Sequence, residues 1–143
     1  MATVLQLIEK HGGSRRKHSA YDQVKRLQTV LGEELPEDYC SYLAQFHGFE
    51  NFIGEEYVVL WPVEEIESAN EDSLIKNSLA NTIGIGGNGG GEYLAIEKVG
   101  SKGCKIVLSP LIDLSSEHHI TVGQSFTDFI ERLDTGQGWF KQN

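Results

Sequence analysis

Six glycines within one short segment constrain this chain more than any other feature of its sequence. The segment from Ile83 to Glu97 reads Ile-Gly-Ile-Gly-Gly-Asn-Gly-Gly-Gly-Glu-Tyr-Leu-Ala-Ile-Glu. A phosphate-binding glycine loop runs from a strand into the N-terminus of a helix, where free N–H groups meet the anion. Here short runs with β-branched and aromatic residues lie on both sides, and Leu94 and Ile96 alternate with their neighbours as in a half-buried strand. The pattern therefore predicts a β-hairpin.

Two details of the same segment argue against a nucleotide site. No Lys-Ser or Lys-Thr pair follows the glycines, and Glu92 places a negative charge where a phosphate would lie. Asn88 and Gly89 form a pair common in hairpin turns, because both residues tolerate a positive φ angle. We expect the chain to turn at these two residues.

The length of 143 residues predicts a single domain that buries enough surface to fold without disulfides. Cys40 and Cys104 lie in unrelated contexts, which favours reduced core thiols, with one disulfide as the alternative. No basic leader precedes a long apolar run, and no stretch reaches the length of a membrane span. We expect a soluble, cytoplasmic protein that does not bind membranes.

The net charge of −9 is unevenly distributed along the chain. Residues 1–32 carry a charge of +4, and the twelve acidic residues from Glu33 to Asp72 are not interrupted by any lysine or arginine. This acidic stretch is either a solvated surface or a docking face for a basic partner. It disfavours direct binding of nucleic acid, and the basic residues 15–17 are better explained as a flexible arm or as internal ion-pair partners.

The patterns along the chain predict amphipathic helices and short strands, and the strands from the glycine hairpin onwards are predicted to form a meander. Helices are predicted at residues 4–10, 19–32, 36–48, 62–66, 72–79 and 125–133. Strands are predicted at residues 51–54 and 57–61, on both sides of the glycine turn, and at residues 105–108 and 119–122. We divide the chain into an N-terminal helix with a basic connection (1–18), one domain (19–134) and a C-terminal tail (135–143).

Local signals define several helix ends. Ser19 with Asp22 resembles a capping box, and apolar residues at helical spacing from Tyr21 to Leu31 predict a packed face. The next helix is predicted to end at His47-Gly48 in a left-handed cap.

The closing helix has the clearest pattern of all. Ser125 is its predicted N-cap, and Phe126, Phe129, Ile130 and Leu133 line one face. The aromatic pair Trp139-Phe140 follows; we expect it to dock on its own domain, with anchoring of a partner as the alternative.

No catalytic, cofactor-binding or metal-binding residue is predicted. The sequence contains neither His-Glu-x-x-His nor paired Cys-x-x-Cys motifs. Cys40 and His47 are seven residues apart on one predicted helix, or about 10 Å of rise, which is too far for a nucleophile pair. An unrecognised hydrolase remains an alternative that these absences disfavour.

Four ordered segments resemble the SUKH superfamily, which includes the fungal Smi/Knr cell-wall assembly regulators and many bacterial immunity proteins. The segments are Leu31 to Gly48 with its Leu-Pro-Glu-Asp-Tyr entry, Leu60-Trp61-Pro62-Val63-Glu64-Glu65-Ile66, the glycine hairpin, and Ser125 to Leu133. His47 departs from the family pattern, which commonly has asparagine before the glycine. The resemblance implies a single-domain α+β fold with a mostly antiparallel sheet and helices packed around it. It also implies that this fold serves as a protein-binding platform without catalytic residues.

For bacterial members the resemblance implies an immunity protein that neutralises a toxin made by the same or a neighbouring cell. We therefore expect a cognate protein toxin, basic and of nuclease type, as the partner, bound by occlusion. The alternative is a regulatory scaffold like the fungal relatives. The chain is expected to be a monomer or a weak dimer.

The predicted partner-binding residues combine acids that steer a basic partner with aromatic anchors. Trp61 ends an apolar strand, so we expect it to belong to the core, with a place in the interface as its alternative role. The predicted set comprises Glu50, Glu55, Glu56, Tyr57, Trp61, Asn88, Glu92 and Tyr93.

Overall fold

The computed structural model describes residues 3–72, 82–100, 103–110 and 119–139, and within them it confirms the α+β class. The helices are α1 (Val4–Lys10), α2 (Tyr21–Leu31), α3 (Glu37–Gln45), α4 (Val63–Asp72) and α5 (Phe126–Asp134). The strands are β1 (Phe49–Ile53), β2 (Glu56–Leu60), β3 (Thr82–Gly87), β4 (Glu92–Val99), β5 (Gly103–Pro110) and β6 (Ile120–Gly123). The helix predicted at residues 72–79 falls, beyond Asp72, outside the described residues.

The six strands form one antiparallel sheet in the order β1-β2-β3-β4-β5-β6. The pairing is extensive between β4 and β5, but β2 meets β3 through just two pairs, Val59 with Gly87 and Leu60 with Gly86. A register shift in β3 between Gly84 and Gly86 accompanies this short contact. The β1–β2 hairpin is thus joined to the rest of the sheet over a short length.

The close approach of β2 and β3 requires a glycine. A Cβ atom at Gly86 would lie 1.8 Å from the carbonyl oxygen of Val59, closer than any side chain permits. The predicted glycine hairpin is confirmed, but its loop covers residues 88–91 and is longer than the expected Asn88-Gly89 turn. Gly89 has a φ angle of +78°, and the Asn88 N–H donates to the Glu92 carbonyl across the loop at 3.3 Å.

An aromatic cluster forms the centre of the core between helices α3 and α5. Tyr39 and Tyr42 from α3 each lie 5.2 Å, between ring centroids, from Phe126 of α5. Asp38 of α3 also links the two helices. Its Oδ2 atom accepts hydrogen bonds from both the N–H and the hydroxyl of Thr127 of α5, each at 2.8 Å. These contacts hold the helices against one face of the sheet.

The prediction that β4 is half buried was wrong. Residues 93–96 are all buried, because Tyr93 and Ala95 form a second buried cluster with Val107 on the face of the sheet opposite Leu94 and Ile96. The alternation of the sequence showed one buried face but could not show that the other face is covered as well.

The start of α2 differs from the predicted capping box. The N-cap is Ala20, and Ser19 instead accepts a hydrogen bond from the Tyr21 N–H at 3.3 Å. Tyr21 and Val30 are exposed, so the packed face of this helix is narrower than expected and rests on Val24 and Leu27.

The predicted left-handed cap of α3 was also wrong. This helix ends at Gln45, and Phe46 adopts an extended conformation with φ −123°. Phe46 is buried and pairs with Arg15 in an isolated antiparallel bridge. Because this pairing needs an extended backbone, the helix ends before the predicted cap. Gly48 does have a positive φ of 70°, but it lies in the connection to β1.

The predicted cap of α5 and the docking of Trp139 were confirmed, whereas Phe140, the second residue of the aromatic pair, lies outside the described residues. Ser125 caps α5 by accepting a hydrogen bond from the Asp128 N–H at 3.0 Å. Trp139 docks on its own domain, where its ring stacks on Phe129 with 5.9 Å between centroids.

Both cysteines, Cys40 and Cys104, are free thiols.

Candidate partner-binding surface

Strand alternation exposes one face of the β1–β2 hairpin. Phe49, Ile53, Val58 and Leu60 point into the core. On the other face, the cross-strand pairs Glu50 with Val59 and Phe52 with Tyr57, together with Trp61 one position beyond β2, are exposed or partly exposed. We call this set the hairpin face: Glu50, Phe52, Tyr57, Val59 and Trp61.

The side chains of the hairpin face contact one another across the two strands. Phe52 pairs with Tyr57, and their rings meet edge to face at 5.1 Å. Phe52 is 57% exposed, which is unusual for a large aromatic side chain. The Tyr57 hydroxyl donates a hydrogen bond to Glu50, and this bond raises the pKa of Tyr57. The result is an aromatic surface with a fixed carboxylate beside it.

The β3–β4 loop extends this surface. A Cβ atom at Gly89 would lie 2.9 Å from Cδ2 of Tyr57, so the loop backbone touches the tyrosine ring. The side chain of Asn88 accepts from the Gly90 N–H at 3.0 Å and donates to Glu92 Oε1 at 2.8 Å. The structure therefore brings Asn88 and Glu92 next to the hairpin face.

Three of the predicted partner-binding residues lie elsewhere. Glu55 is exposed at the hairpin tip after Gly54. Glu56 accepts a hydrogen bond from the Trp139 N–H at 2.6 Å, so this carboxylate holds the C-terminal segment. Tyr93 is 1% exposed, which leaves no surface for a partner to reach.

A groove of about 400 Å³ lies between the hairpin face, the start of α4 and the connection from α1 to α2. Its walls are formed by residues 12–14, 47–50 and 59–62 with Glu65. Glu50 and Trp61 were predicted from the sequence, whereas Val59 and Glu65 were not. Phe52 was also missed, because the pattern of this strand does not show which of its two faces is covered by the rest of the protein.

Arg15 and Arg16 of the N-terminal connection are internal ion-pair partners. Arg16 binds both oxygens of Glu64, at 2.9 and 2.7 Å, which lowers the pKa of Glu64 to about 2. Arg15 binds Glu9 at 2.9 Å and lies over the Phe46 ring at 5.1 Å. The sequence pattern indicated a flexible arm or internal ion-pair partners for these residues, and the second interpretation describes both arginines.

Two groups with possible chemical reactivity, Cys40 and His119, are placed where their reactivity is low. Burial, with help from Asp38 and Glu37, raises the pKa of the Cys40 thiol to about 11, so the thiolate nucleophile is scarce at neutral pH. His119 contacts Glu97, and Lys105 lies 3.4 Å from the same carboxylate, but the His119 side chain is 3% exposed. The described residues contain no group of three or more His, Cys, Asp or Glu placed to hold a metal ion.

None of the described helices is long and apolar enough to cross a membrane. The antiparallel sheet, its helical cover and the open aromatic hairpin define an α+β domain with a surface suited to another protein. The sequence profile of the SMI1 / KNR4 family (SUKH-1) matches residues 21–132, and the chain belongs to this family. This match confirms the resemblance found in the sequence. None of the curated proteins searched matches the chain.

Members of this family are generally binding proteins without catalytic activity. The matched range contains the whole hairpin face and the β3–β4 loop. Helix α1 and the segment after residue 132 lie outside it. The family thus accounts for the domain that carries the candidate surface, and it points to a protein as the partner.

Proposed function

We propose that the protein is an immunity protein, which binds a cognate toxin domain of basic, nuclease type and neutralises it by occlusion. The observation that carries the proposal is the hairpin face, an exposed aromatic surface flanked by carboxylates. Interfaces are commonly anchored by aromatic residues, and a contiguous exposed apolar patch commonly marks a binding site. Family membership supports a protein partner.

The charge distribution favours a basic partner. From Glu33 to Asp72, a range that includes β1, β2 and α4, the chain has twelve acids and no lysine or arginine. A nuclease binds its substrate with lysine and arginine side chains that neutralise phosphates. An acidic surface complementary to those side chains would cover them, and the nuclease would then lose access to nucleic acid.

Co-expression with candidate toxins from adjacent genes tests this proposal, with survival of the host cells as the readout. The wild-type chain is expected to rescue growth in the presence of its cognate toxin. Reversing two charges at the surface, Glu50→Lys with Glu92→Lys, is expected to abolish rescue. The matched control, Glu67→Lys with Glu71→Lys, changes the charge equally at exposed positions of α4 and is expected to retain rescue.

Rescue that persists after the reversal at Glu50 and Glu92 would contradict the choice of surface. A regulatory scaffold is the competing function, and it predicts a different result. A scaffold would bind a partner encoded elsewhere and would rescue no toxin from a neighbouring gene.

A further inference from the structure

The groove beside the hairpin face has the chemical character of a site for a cationic side chain. Glu50 and Glu65 are exposed carboxylates on its wall, and Trp61 is a partly buried aromatic between them in sequence. The twelve described residues that line it include no lysine or arginine. The groove therefore presents negative charge and an aromatic ring to whatever enters it.

Among cationic side chains, arginine matches these walls best. Its planar guanidinium is weakly hydrated, stacks on aromatic faces and donates hydrogen bonds from five N–H groups in a fixed fork. A lysine ammonium carries the same charge but is compact and strongly hydrated, so it gains less from a flat aromatic wall. The neighbouring α1–α2 connection contains both kinds of interaction. Arg16 donates two hydrogen bonds to the Glu64 carboxylate, and the Arg15 guanidinium lies over the Phe46 ring.

The walls are held in position by contacts within the protein. Glu50 accepts a hydrogen bond from the Tyr57 hydroxyl, and this bond restricts the position of the Glu50 carboxylate. Trp61 donates its backbone N–H to the Ile85 carbonyl at 2.9 Å and packs against the core. On the opposite wall, Gly13 packs closely against α1, because a Cβ atom there would lie 2.5 Å from Cγ2 of Ile8. A groove with fixed walls loses little conformational entropy on binding.

We propose that this groove binds an arginine side chain of the partner protein, with the guanidinium against the Trp61 indole and in reach of Glu50 and Glu65. The inference rests on the proposed function, because it names a feature of the partner bound at that surface. It adds that the partner carries an arginine at the centre of its interface and that replacing this arginine by lysine weakens the complex.

A blocked Gly-Arg-Gly peptide is the probe for the groove, with Gly-citrulline-Gly as an uncharged control of similar shape. The readout is the indole N–H signal of Trp61 in a nitrogen–proton correlation spectrum of the full chain, assigned with Trp139→Phe. The arginine peptide is expected to shift this signal with a dissociation constant on the order of 1 mM, equivalent to about −4 kcal/mol. The citrulline peptide is expected to leave it unchanged.

Variants separate a defined site from general attraction to an acidic protein. Glu50→Gln with Glu65→Gln is expected to weaken binding of the arginine peptide by about tenfold, because charge-assisted hydrogen bonds are lost. Glu67→Gln with Glu71→Gln removes the same charge elsewhere and is expected to weaken binding by less than about twofold, as for separated exposed charges. Equal effects of the two pairs, no shift at Trp61, or equally strong binding of spermidine would overturn the proposal.

The same variants distinguish this inference from the proposed function. If Glu50→Gln with Glu65→Gln abolishes peptide binding but leaves toxin neutralisation intact, the groove inference is wrong and the immunity function stands. If the arginine peptide binds at Trp61 as expected but no toxin is neutralised, the groove stands and the immunity function is wrong.

Discussion

At the scale of single residues, the structure depends on positions where the backbone has no room for a side chain. Gly86 is the clearest case, since β2 and β3 meet there through two residue pairs. Any Cβ atom would push β3 away from the carbonyl of Val59. The hairpin that carries the candidate surface is therefore attached to the sheet at a glycine.

Gly86→Ala is expected to destabilise the fold by about 3 kcal/mol, since it inserts a methyl group into the closest strand contact. Urea unfolding followed by circular dichroism measures the loss. Gly91→Ala is the matched control, because a Cβ atom at Gly91 would meet nothing within 4 Å. Its effect is expected to stay within about 0.5 kcal/mol. Equal effects of the two substitutions would contradict the close contact.

At the scale of elements, the β1–β2 hairpin depends on the chain termini for support. The N–H of Trp139 bonds to Glu56 of β2, and the Trp139 ring stacks on Phe129 of α5. On the N-terminal side, the Asn51 side chain donates to the carbonyl of His11 at 2.9 Å. Lys10 and His11 in turn bind Asp134, at 2.8 Å each. The segments that follow α1 and α5 thus support one side of the hairpin and leave the hairpin face open.

Trp139→Ala is expected to lower the free energy of unfolding by about 3 kcal/mol, in line with loss of a buried tryptophan. Amide hydrogen exchange is expected to accelerate most in β1 and β2, because loss of the ring packing on Phe129 undocks the segment whose backbone N–H, retained in alanine, bonds to Glu56. Phe52→Ala, on the open side of the same hairpin, serves as the control and is expected to cost less than about 1 kcal/mol. If Phe52→Ala proves as costly as Trp139→Ala, Phe52 is not free to bind a partner.

At the scale of the whole molecule, the distribution of charge controls how fast a charged partner associates. The net charge is −9, and the arginines Arg15 and Arg16 are engaged with Glu9 and Glu64. The segment from Glu33 to Asp72, which includes β1, β2 and α4, contains no lysine or arginine to offset its twelve acids. An unbalanced field of this kind accelerates the approach of a basic protein and is screened by salt.

The association rate with the cognate toxin is expected to fall at least about tenfold between low and high salt, as for electrostatically steered complexes. The dissociation rate is expected to change much less, because the aromatic anchors are short-range contacts. Stopped-flow mixing at several sodium chloride concentrations measures both rates. An association rate that does not respond to salt would remove the steering role of the acidic face.

Several elements of the molecule were predictable because their signals are local. Proline, serine and glycine mark helix and turn positions through their own backbone preferences, so the order of the elements could be derived by reading along the chain. The glycine hairpin, the start of α4 after Pro62 and the cap of α5 at Ser125 all follow from such signals. The family resemblance depends on the same ordered set.

The composition of the candidate surface was less accessible from the sequence. Glu50, Tyr57 and Trp61 were identified because acids and aromatics cluster there, and the structure places all three on one face. Glu56 was expected at the surface too, but it binds Trp139, which is 83 residues away along the chain. Phe52 was missed because alternation along a strand shows two faces but not which of them the rest of the protein covers.

The sequence by itself determined the order of the elements, the turn at the glycines and the acidic character of the central region. Those properties follow from backbone preferences and charges that each residue carries wherever it lies. The tertiary structure alone decided which sheet face stays open, since that depends on strand register and on what packs against each side. Tyr93 and Phe52, two aromatic residues on neighbouring hairpins, show the difference, because one is covered and the other faces solvent.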